Sequence, residues 1–192
     1  MKTQPLLYLA SKSPRRQELL TYLAIDFQLI EAEIDETPEL EETASNYVRR
    51  LAIEKAQAGR AKLASTAVVL GADTIVVIDN KILGKPVDQQ DAQTMLTLLS
   101  NRTHQVMTAI AVVSPLGVFS EIIETDVSFR AITETEMAQY WLTGEPCDKA
   151  GGYGIQGIGG KFVQRINGSY HSVVGLPLVE TEQLIKLARH ND

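Results

Sequence analysis

The feature that most constrains the fold is a strand-length apolar run that leads directly into a helix. Leu6 to Ala10 is apolar, and the leucines between Gln17 and Leu23 recur at the spacing of one helix face. Between these two pieces, Ser13 is a good N-cap and Pro14 suits the first helical position, where its missing N–H costs nothing. The chain is therefore predicted to place the start of a helix, with free N–H groups and a positive dipole end, directly after a strand.

The residues at this junction favour an anion. Two hydroxyls, Ser11 and Ser13, and two guanidiniums, Arg15 and Arg16, lie within six positions of one another. Together with a helix N-terminus they predict a site for a polyanion, and phosphate suits that chemistry. The alternative is that the arginines are solvated and the serines only cap the helix. That alternative is weakened because cations at a helix N-terminus oppose the dipole.

Composition restricts the class of protein. A chain of 192 residues suits one domain, 1–192, or one domain with two lobes. The net charge of −6 argues against a broad nucleic-acid surface, although it permits a small phosphate pocket. One cysteine, Cys147, cannot form an internal disulfide, and no apolar run reaches membrane-spanning length. We therefore expect a cytoplasmic, soluble protein that has no signal peptide and contacts neither nucleic acid nor membrane.

The rest of the chain alternates predicted strands and helices, which is typical of an α/β protein. Helices are expected after the N-caps Thr43, Asp88 and Thr133 and after Gly175-Leu176-Pro177. Strands are expected at Phe27 to Ile30, Ala67 to Ile78, Lys81 to Leu83, His104 to Val113, Val118 to Arg130, Phe162 to Ile166 and Ser169 to Val174.

One carboxylate stands out within an apolar strand. Asp73 follows Gly71, which marks a bend or a close backbone approach, in the β-branched run Ala67 to Ile78. A carboxylate there is costly unless it is paired, exposed or bound to a metal. A buried, hydrogen-bonded structural role is the alternative to a functional one, and we favour the functional role.

A glycine-dense segment runs from Ala150 to Gly160. Its Gly-x-Gly-x-x-Gly spacing does not predict a dinucleotide loop, because no suitable strand precedes it. The segment is instead typical of backbone that approaches a ligand closely, with Gln156 as the one side chain able to read an amide-like base edge. The other isolated polar residue, His104 at a strand end, is expected to be structural.

Several strings in one order carry a resemblance to a known family. The chain resembles the Maf family of nucleoside triphosphate pyrophosphatases, once described as septum-formation inhibitors. Separated strings in the same order are far more specific than any one of them. The matching strings are Leu9 to Leu20, Asp35-Glu36-Thr37, Arg50 to Ala56, Gly71 to Thr74, Gly84-Lys85-Pro86, His104 to Thr108 and Val174 to Pro177.

The resemblance implies a fold and a reaction. Members of the family have an elongated mixed α/β fold, similar to inosine triphosphatases, with a cleft between two lobes, and they are often homodimers. They are hydrolases that act on acid anhydrides and convert nucleoside triphosphates to monophosphates and pyrophosphate with a divalent cation, Mg²⁺ or Mn²⁺. Such a reaction serves to clean the nucleotide pool and has been linked to cell-division arrest.

The resemblance also implies roles for individual residues. Asp73 would be the general base on water or a metal ligand, and Asp35 or, by preference, Glu36 would face the site and hold a metal ion. A departure from the family pattern is Lys12, where small residues are common, and we expect little effect from it. Lys55 would be a partner of phosphate or of a carboxylate, Lys85 would contact phosphate, and both would join Asp73 in the catalytic set. The other phosphate-binding residues would be Ser11, Ser13, Arg15 and Arg16.

Base choice in the family depends on three positions. Here they are Arg15, Thr74 and Gln156, a combination that resembles the members directed at dTTP and UTP. A glutamine amide offers one donor and one acceptor, which suits the O4 and N3–H edge of uracil or thymine. Cytosine presents the reversed pattern, although an amide can flip, so the chemistry permits this choice without proving it.

Two other functions are kept as alternatives. One is a non-catalytic nucleotide-sensing module that regulates septum formation through a protein partner and would not need Asp73. The other is phosphomonoesterase chemistry, which would release orthophosphate instead of pyrophosphate.

Overall fold

The computed structural model describes residues 5–189. Its seven strands are β1 (Leu7–Leu9), β2 (Phe27–Leu29), β3 (Val68–Ile78), β4 (Lys81–Leu83), β5 (Thr103–Ser114), β6 (Gly117–Phe129) and β7 (Val163–Asn167). Its six α-helices are α1 (Pro14–Thr21), α2 (Ala44–Arg60), α3 (Gln89–Leu99), α4 (Glu134–Trp141), α5 (Tyr170–Val174) and α6 (Leu178–Arg189). Three short 3₁₀ turns lie between α4 and β7.

The strands form one mixed sheet in the order β2-β1-β3-β5-β6-β7, with β4 paired to β3. β1 runs parallel to β2 and β3, with Leu7 opposite both Phe27 and Val68. β4 is antiparallel to β3, and β7 is antiparallel to β6. The predicted α/β class with a mixed sheet and flanking helices is therefore confirmed.

Helix starts follow the local signals in the sequence. Side-chain oxygens of Ser13, Thr43 and Asp88 each accept a hydrogen bond from the backbone N–H three residues further on. Thr133 and Glu136 form a reciprocal capping box at the start of α4. These bonds satisfy donors that an isolated helix leaves unpaired, which is why short-range sequence patterns predicted all four starts correctly.

Two compact units can be distinguished. The first comprises residues up to Asp73, Thr108–Ile123 and the segment from Gly175 onward. In it, α2 lies against β3 so closely that a Cβ at Gly71 would come within 2.7 Å of the Ala56 nitrogen. Gly71 therefore permits the close backbone approach that the sequence predicted.

The second unit comprises Thr74–Met107 and Glu124–Val174 and has an aromatic core. Phe129 packs edge-on against Tyr153 with ring centroids 4.7 Å apart, and Tyr140 packs edge-on against Phe162 at 5.2 Å. Edge-to-face pairs of this kind add stability beyond the area that they bury.

One predicted strand is wrong. Ser169 to Val174 forms the short helix α5 instead of a partner strand for β7. The Asn-Gly pair before it suggested a hairpin turn, but Ser169 acts as a helix cap whose Oγ accepts from the Ser172 N–H at 3.2 Å. Ser169 also donates its own N–H to Thr125 Oγ1 at 3.0 Å, which fixes where the helix begins. A local cap and a contact with β6 thus override the turn signal.

Helices that could cross a lipid bilayer were sought within residues 5–189, and none has the required length and apolar character.

Candidate active site

Ser11, Ser13 and Arg16 form one hydrogen-bonded cluster at the start of α1. Ser13 Oγ accepts from the Arg16 N–H at 3.5 Å, and the Ser13 N–H donates to Ser11 Oγ at 3.2 Å. Arg16 Nη1 donates to Ser11 Oγ at 3.4 Å, and its Nε donates to the Gly175 carbonyl at 2.9 Å. The serines thus cap the helix, but they do not only cap it, because Ser11 also accepts from the guanidinium of Arg16.

Arg16 interacts electrostatically with two carboxylates outside this cluster. Burial lowers the pKa of Arg16, the negative charge of Asp73 opposes that shift, Arg15 adds to it and Glu36 opposes it. An arginine stays protonated despite such a shift. The first unit therefore brings a fixed positive charge into the electrostatic neighbourhood of Asp73 and Glu36.

Lys55 is the centre of the second group of site residues. Its Nζ lies 2.7 Å from Asp73 Oδ1 and 2.7 Å from Glu36 Oε1. The side chains of Lys55 and Asp73 are 14% and 12% exposed, whereas that of Glu36 is 53% exposed. The apolar strand thus carries Asp73 as a mostly buried carboxylate paired with an ammonium group, as its burial cost requires.

The acidic loop before α2 is held so that Glu36 reaches this group. The Tyr47 hydroxyl donates to the Glu36 carbonyl at 2.8 Å, and Arg50 Nη2 donates to the Thr37 carbonyl at 3.1 Å. Asp35 instead accepts from the Thr37 N–H at 2.9 Å, and bonds to Thr37 lower its pKa. Of the two acidic residues considered, Glu36 is the one that contacts Lys55, which in turn contacts Asp73.

The donor set for a divalent cation is small. Within residues 5–189 no group of three or more His, Cys, Asp or Glu side chains could hold a metal. The pair formed by Glu36 and Asp73 nevertheless fits Mg²⁺ or Mn²⁺, because Mg²⁺ is usually bound by one or two carboxylates together with substrate phosphates. These residues suit a cation that arrives with a phosphate ligand.

The remaining predicted site residues belong to the second unit. Thr74 follows Asp73 on β3 and is half-buried. Lys85 is exposed between β4 and α3, next to the buried Pro86. Gln156 is exposed in the glycine-dense segment between α4 and β7.

The glycine-dense segment is organised around residues that sequence reasoning missed. Glu145 Oε2 accepts from the Ile158 N–H at 2.8 Å, and Glu145 Oε1 accepts from the Gly159 N–H at 3.0 Å. The Tyr140 hydroxyl donates to Glu145 Oε1 at 2.7 Å and accepts from the Gly154 N–H at 3.1 Å. The interpretation of the glycines as backbone that approaches a ligand stays a prediction. Two of them, Gly157 and Gly159, also leave room for Glu145 and Tyr140. A carboxylate directly before the Pro146 turn was the only sequence signal.

His104 has the structural role that was expected. It is 2% exposed, and its Nε2 lies 2.8 Å from the Tyr153 hydroxyl. Its ring also packs edge-on against Phe129 at 4.9 Å. Burial lowers the pKa of His104 to about 4, so the ring is neutral at pH 7.

With this geometry described, the sequence can be compared with known proteins. The family described as Maf-like protein matches residues 6–188. The chain belongs to the Maf family. The matched range contains every predicted site residue.

Maf relatives whose names state an activity are similar in sequence to this protein over nearly the whole chain. The dTTP/UTP pyrophosphatase of Vibrio parahaemolyticus is 55% identical over 97% of this chain and 98% of its own length. That of Shigella dysenteriae is 55% identical over 93% of this chain and 91% of its own. That of Photobacterium profundum is 52% identical over 94% of this chain and 95% of its own length.

A solved structure shows only a distant likeness. The crystal structure of a nucleoside-triphosphatase, dITP/XTP pyrophosphatase, from Mycobacterium abscessus is 18% identical over 64% of this chain and 73% of its own, with a TM-score of 0.43.

Proposed function

We propose that this protein hydrolyses dTTP and UTP to the nucleoside monophosphate and pyrophosphate. The observation that carries the proposal is 55% identity over 97% of the chain to a relative named dTTP/UTP pyrophosphatase. This agrees with the function predicted from the sequence strings. It does not favour the non-catalytic sensing module, which would act through a protein partner.

The triphosphate is assigned to the start of α1. Ser11 and Ser13 lie there with Arg16, whose Nη1 is 3.4 Å from Ser11 Oγ. The helix N-terminus favours negative charge, and guanidinium groups bind phosphate oxygens well. Arg15 and Arg16 would bind phosphate oxygens, and Lys55 and Lys85 would offset charge on the leaving pyrophosphate.

The reaction is an in-line attack of water on the α-phosphorus. A bond forms between the water oxygen and phosphorus, and the bond from phosphorus to the α–β bridging oxygen breaks, so that pyrophosphate leaves with the electron pair. Asp73 serves either as the base that takes the proton from water or as a metal ligand. Its pairing with Lys55 at 2.7 Å fixes the carboxylate in a mostly buried position and supports either role.

A divalent cation, Mg²⁺ or Mn²⁺, would be held by Glu36 and Asp73 together with phosphate oxygens. When bound, such an ion neutralises phosphate charge and polarises the phosphorus centre. The residues that bind the phosphates would orient the α-phosphorus for attack by water. Lys55, between the two carboxylates at 2.7 Å from each, limits the repulsion between them in the absence of the ion.

The base is assigned to Arg15, Thr74 and Gln156. Gln156 is exposed, and its amide can pair with the O4 and N3–H edge of thymine or uracil. An amide that accepts from N3–H and donates to O4 meets a mismatched edge on cytosine. This assignment rests on the family resemblance and on the chemistry of the amide.

The setting of the enzyme is part of the proposal. A cytoplasmic location accords with a single cysteine, and the net charge of −6 argues against nucleic acid as a partner. A homodimer and a role in cleaning the nucleotide pool rest on the family resemblance alone.

The test is product analysis with dTTP, UTP, CTP and GTP in the presence of Mg²⁺ or Mn²⁺. We expect pyrophosphate from dTTP and UTP, and a loss of about 10²- to 10⁴-fold in kcat for Asp73→Asn, the range for removal of an acid–base group. Release of orthophosphate would indicate phosphomonoesterase chemistry instead. Binding without turnover, unchanged in Asp73→Asn, would favour the sensing module.

A further inference from the structure

The segment that carries Gln156 is held at both ends by two side chains with no assigned role. Glu145, the first residue of the 3₁₀ turn that follows α4, accepts three hydrogen bonds: from the Tyr140 hydroxyl and from the N–H groups of Ile158 and Gly159. The Tyr140 hydroxyl also accepts from the Gly154 N–H at 3.1 Å. Two residues thus bind the backbone two positions before Gln156 and two and three positions after it.

Two glycines of this segment, Gly157 and Gly159, lie directly against the same two side chains. A Cβ at Gly159 would lie 2.5 Å from the Tyr140 hydroxyl, and one at Gly157 would lie within 2.7 Å of Glu145 Oε1. Real Cβ atoms do not come so close, so these positions are built around the two side chains. The spacing of Gly154, Gly157 and Gly159 therefore reflects contacts inside the unit.

The chemistry of these bonds makes the attachment firm. Hydrogen bonds to an ionised carboxylate are about twice as strong as neutral ones. Burial opposes ionisation of Glu145, but bonds from Gly159, Tyr140 and Ile158 outweigh it, so the pKa of Glu145 is lowered and the carboxylate is ionised at neutral pH. Burial raises the pKa of Tyr140 well above its ordinary value, so its hydroxyl keeps the proton that it donates.

We propose that Glu145 and Tyr140 are positioning residues that fix the backbone from Gly154 to Gly159 and thereby orient the Gln156 amide for recognition of the pyrimidine base. The inference rests on the proposed function, in which Gln156 reads the base. Neither residue touches the substrate. Their contribution is to discrimination between nucleotides, because an amide that is free to swing or flip pairs equally well with the edges of uracil and cytosine.

The experiment compares kcat and KM for dTTP, UTP and CTP in the wild type, Glu145→Gln, Gln156→Ala and the double variant. A glutamine at 145 keeps the shape of the side chain but turns an NH₂ group toward a backbone N–H or the Tyr140 hydroxyl, so at least one bond is lost. We expect the preference for dTTP over CTP in kcat/KM to fall about tenfold, which corresponds to about 1.4 kcal/mol. KM for dTTP should carry most of the change.

The matched control is Glu136→Gln. Glu136 also accepts several hydrogen bonds, from Arg130 and Thr133, in the same unit and at the start of the same helix that carries Tyr140, but it does not contact the Gln156 segment. Its variant should lose comparable stability and keep the wild-type preference. Tyr140→Phe is the second test variant. It removes the hydroxyl that accepts from the Gly154 N–H and donates to Glu145 Oε1, but it leaves the two bonds from the backbone to Glu145. A drop in preference of about threefold is expected, which is in the range for the loss of one hydrogen bond.

The double variant decides whether the effect passes through Gln156. If it does, Glu145→Gln added to Gln156→Ala changes the preference no further. An unchanged preference in Glu145→Gln and Tyr140→Phe, an equal loss on all nucleotides, or additive effects in the double variant would overturn the inference while wild-type hydrolysis of dTTP leaves the proposed function standing. A wild type that does not hydrolyse dTTP or UTP overturns both.

Discussion

Replacement of Lys55 by methionine tests the pairing at the centre of the candidate site. Methionine keeps much of the length and apolar stem of lysine but removes the ammonium group. Lys55 Nζ lies 2.7 Å from both Asp73 and Glu36, so the variant leaves two carboxylates without their shared cation. We expect the free energy of unfolding to fall clearly. Expressed as free energy, the loss of hydrolytic activity should be larger.

The magnitude follows from the burial of the two carboxylates. The Asp73 side chain is 12% exposed, and removing the partner of a buried ion costs about 3–5 kcal/mol. The Glu36 side chain is 53% exposed and can be hydrated, so its share is less than about 1 kcal/mol. We therefore expect a loss of about 3 kcal/mol, or roughly 6–12 °C in Tm for a chain of this size.

The assay is urea denaturation and thermal melting of Lys55→Met beside two further variants. Lys186→Met removes an exposed i,i+4 ion pair with Glu182 at 2.8 Å and should cost less than about 0.5 kcal/mol. The double variant Lys55→Met/Asp73→Asn replaces the unpaired charge with a neutral amide and should recover most of the loss. A loss in Lys55→Met no larger than that in Lys186→Met, or no recovery in the double variant, would refute the reasoning.

Two further predictions concern stability. Burial lowers the pKa of His104 from 6.5 to about 4, so the folded state favours the neutral ring. The contribution of the neutral ring to stability is complete above pH 6.5 and is lost as the pH falls toward 4. By pH 4.5 we expect the free energy of unfolding, measured by urea denaturation, to have fallen by about 2 kcal/mol. His104→Gln should lack this step, and an equal step in that variant would assign it to other groups. Gly71→Ala should cost about 3 kcal/mol, because its Cβ would meet the backbone of α2 at Ala52 and Ala56, whereas Gly84→Ala, with open space around it, should change the urea midpoint little. Similar midpoints for the two alanine variants would contradict the close approach of α2 to β3.

The parts of the fold that sequence predicted are those decided by nearby residues. Ser13, Thr43, Asp88 and Thr133 cap helices through bonds three residues away, so their patterns are visible in the sequence. The strand predicted at Ser169 to Val174 failed because a bond from Ser169 to Thr125, 44 positions away, helps to fix the start of a helix there. The residues of a local turn give no information about a partner so far away in the sequence.

The candidate site also has a part that the local sequence predicted and a part that it did not. The serine and arginine cluster at α1 is local, and its chemistry was predicted directly. The bond of Arg16 to Gly175 spans 159 positions and that of Lys55 to Asp73 spans 18, so neither follows from periodicity. Lys55 was singled out only through the family resemblance. Glu145 was missed because two of its three partners are backbone N–H groups, which leave no trace in residue types.

The central claim is that water attacks the α-phosphorus of dTTP or UTP. Hydrolysis in water enriched in ¹⁸O, followed by mass spectrometry of both products, tests it most directly. The account predicts one labelled oxygen in the nucleoside monophosphate and none in pyrophosphate. Label in pyrophosphate with an unlabelled monophosphate would show attack at the β-phosphorus and contradict the account.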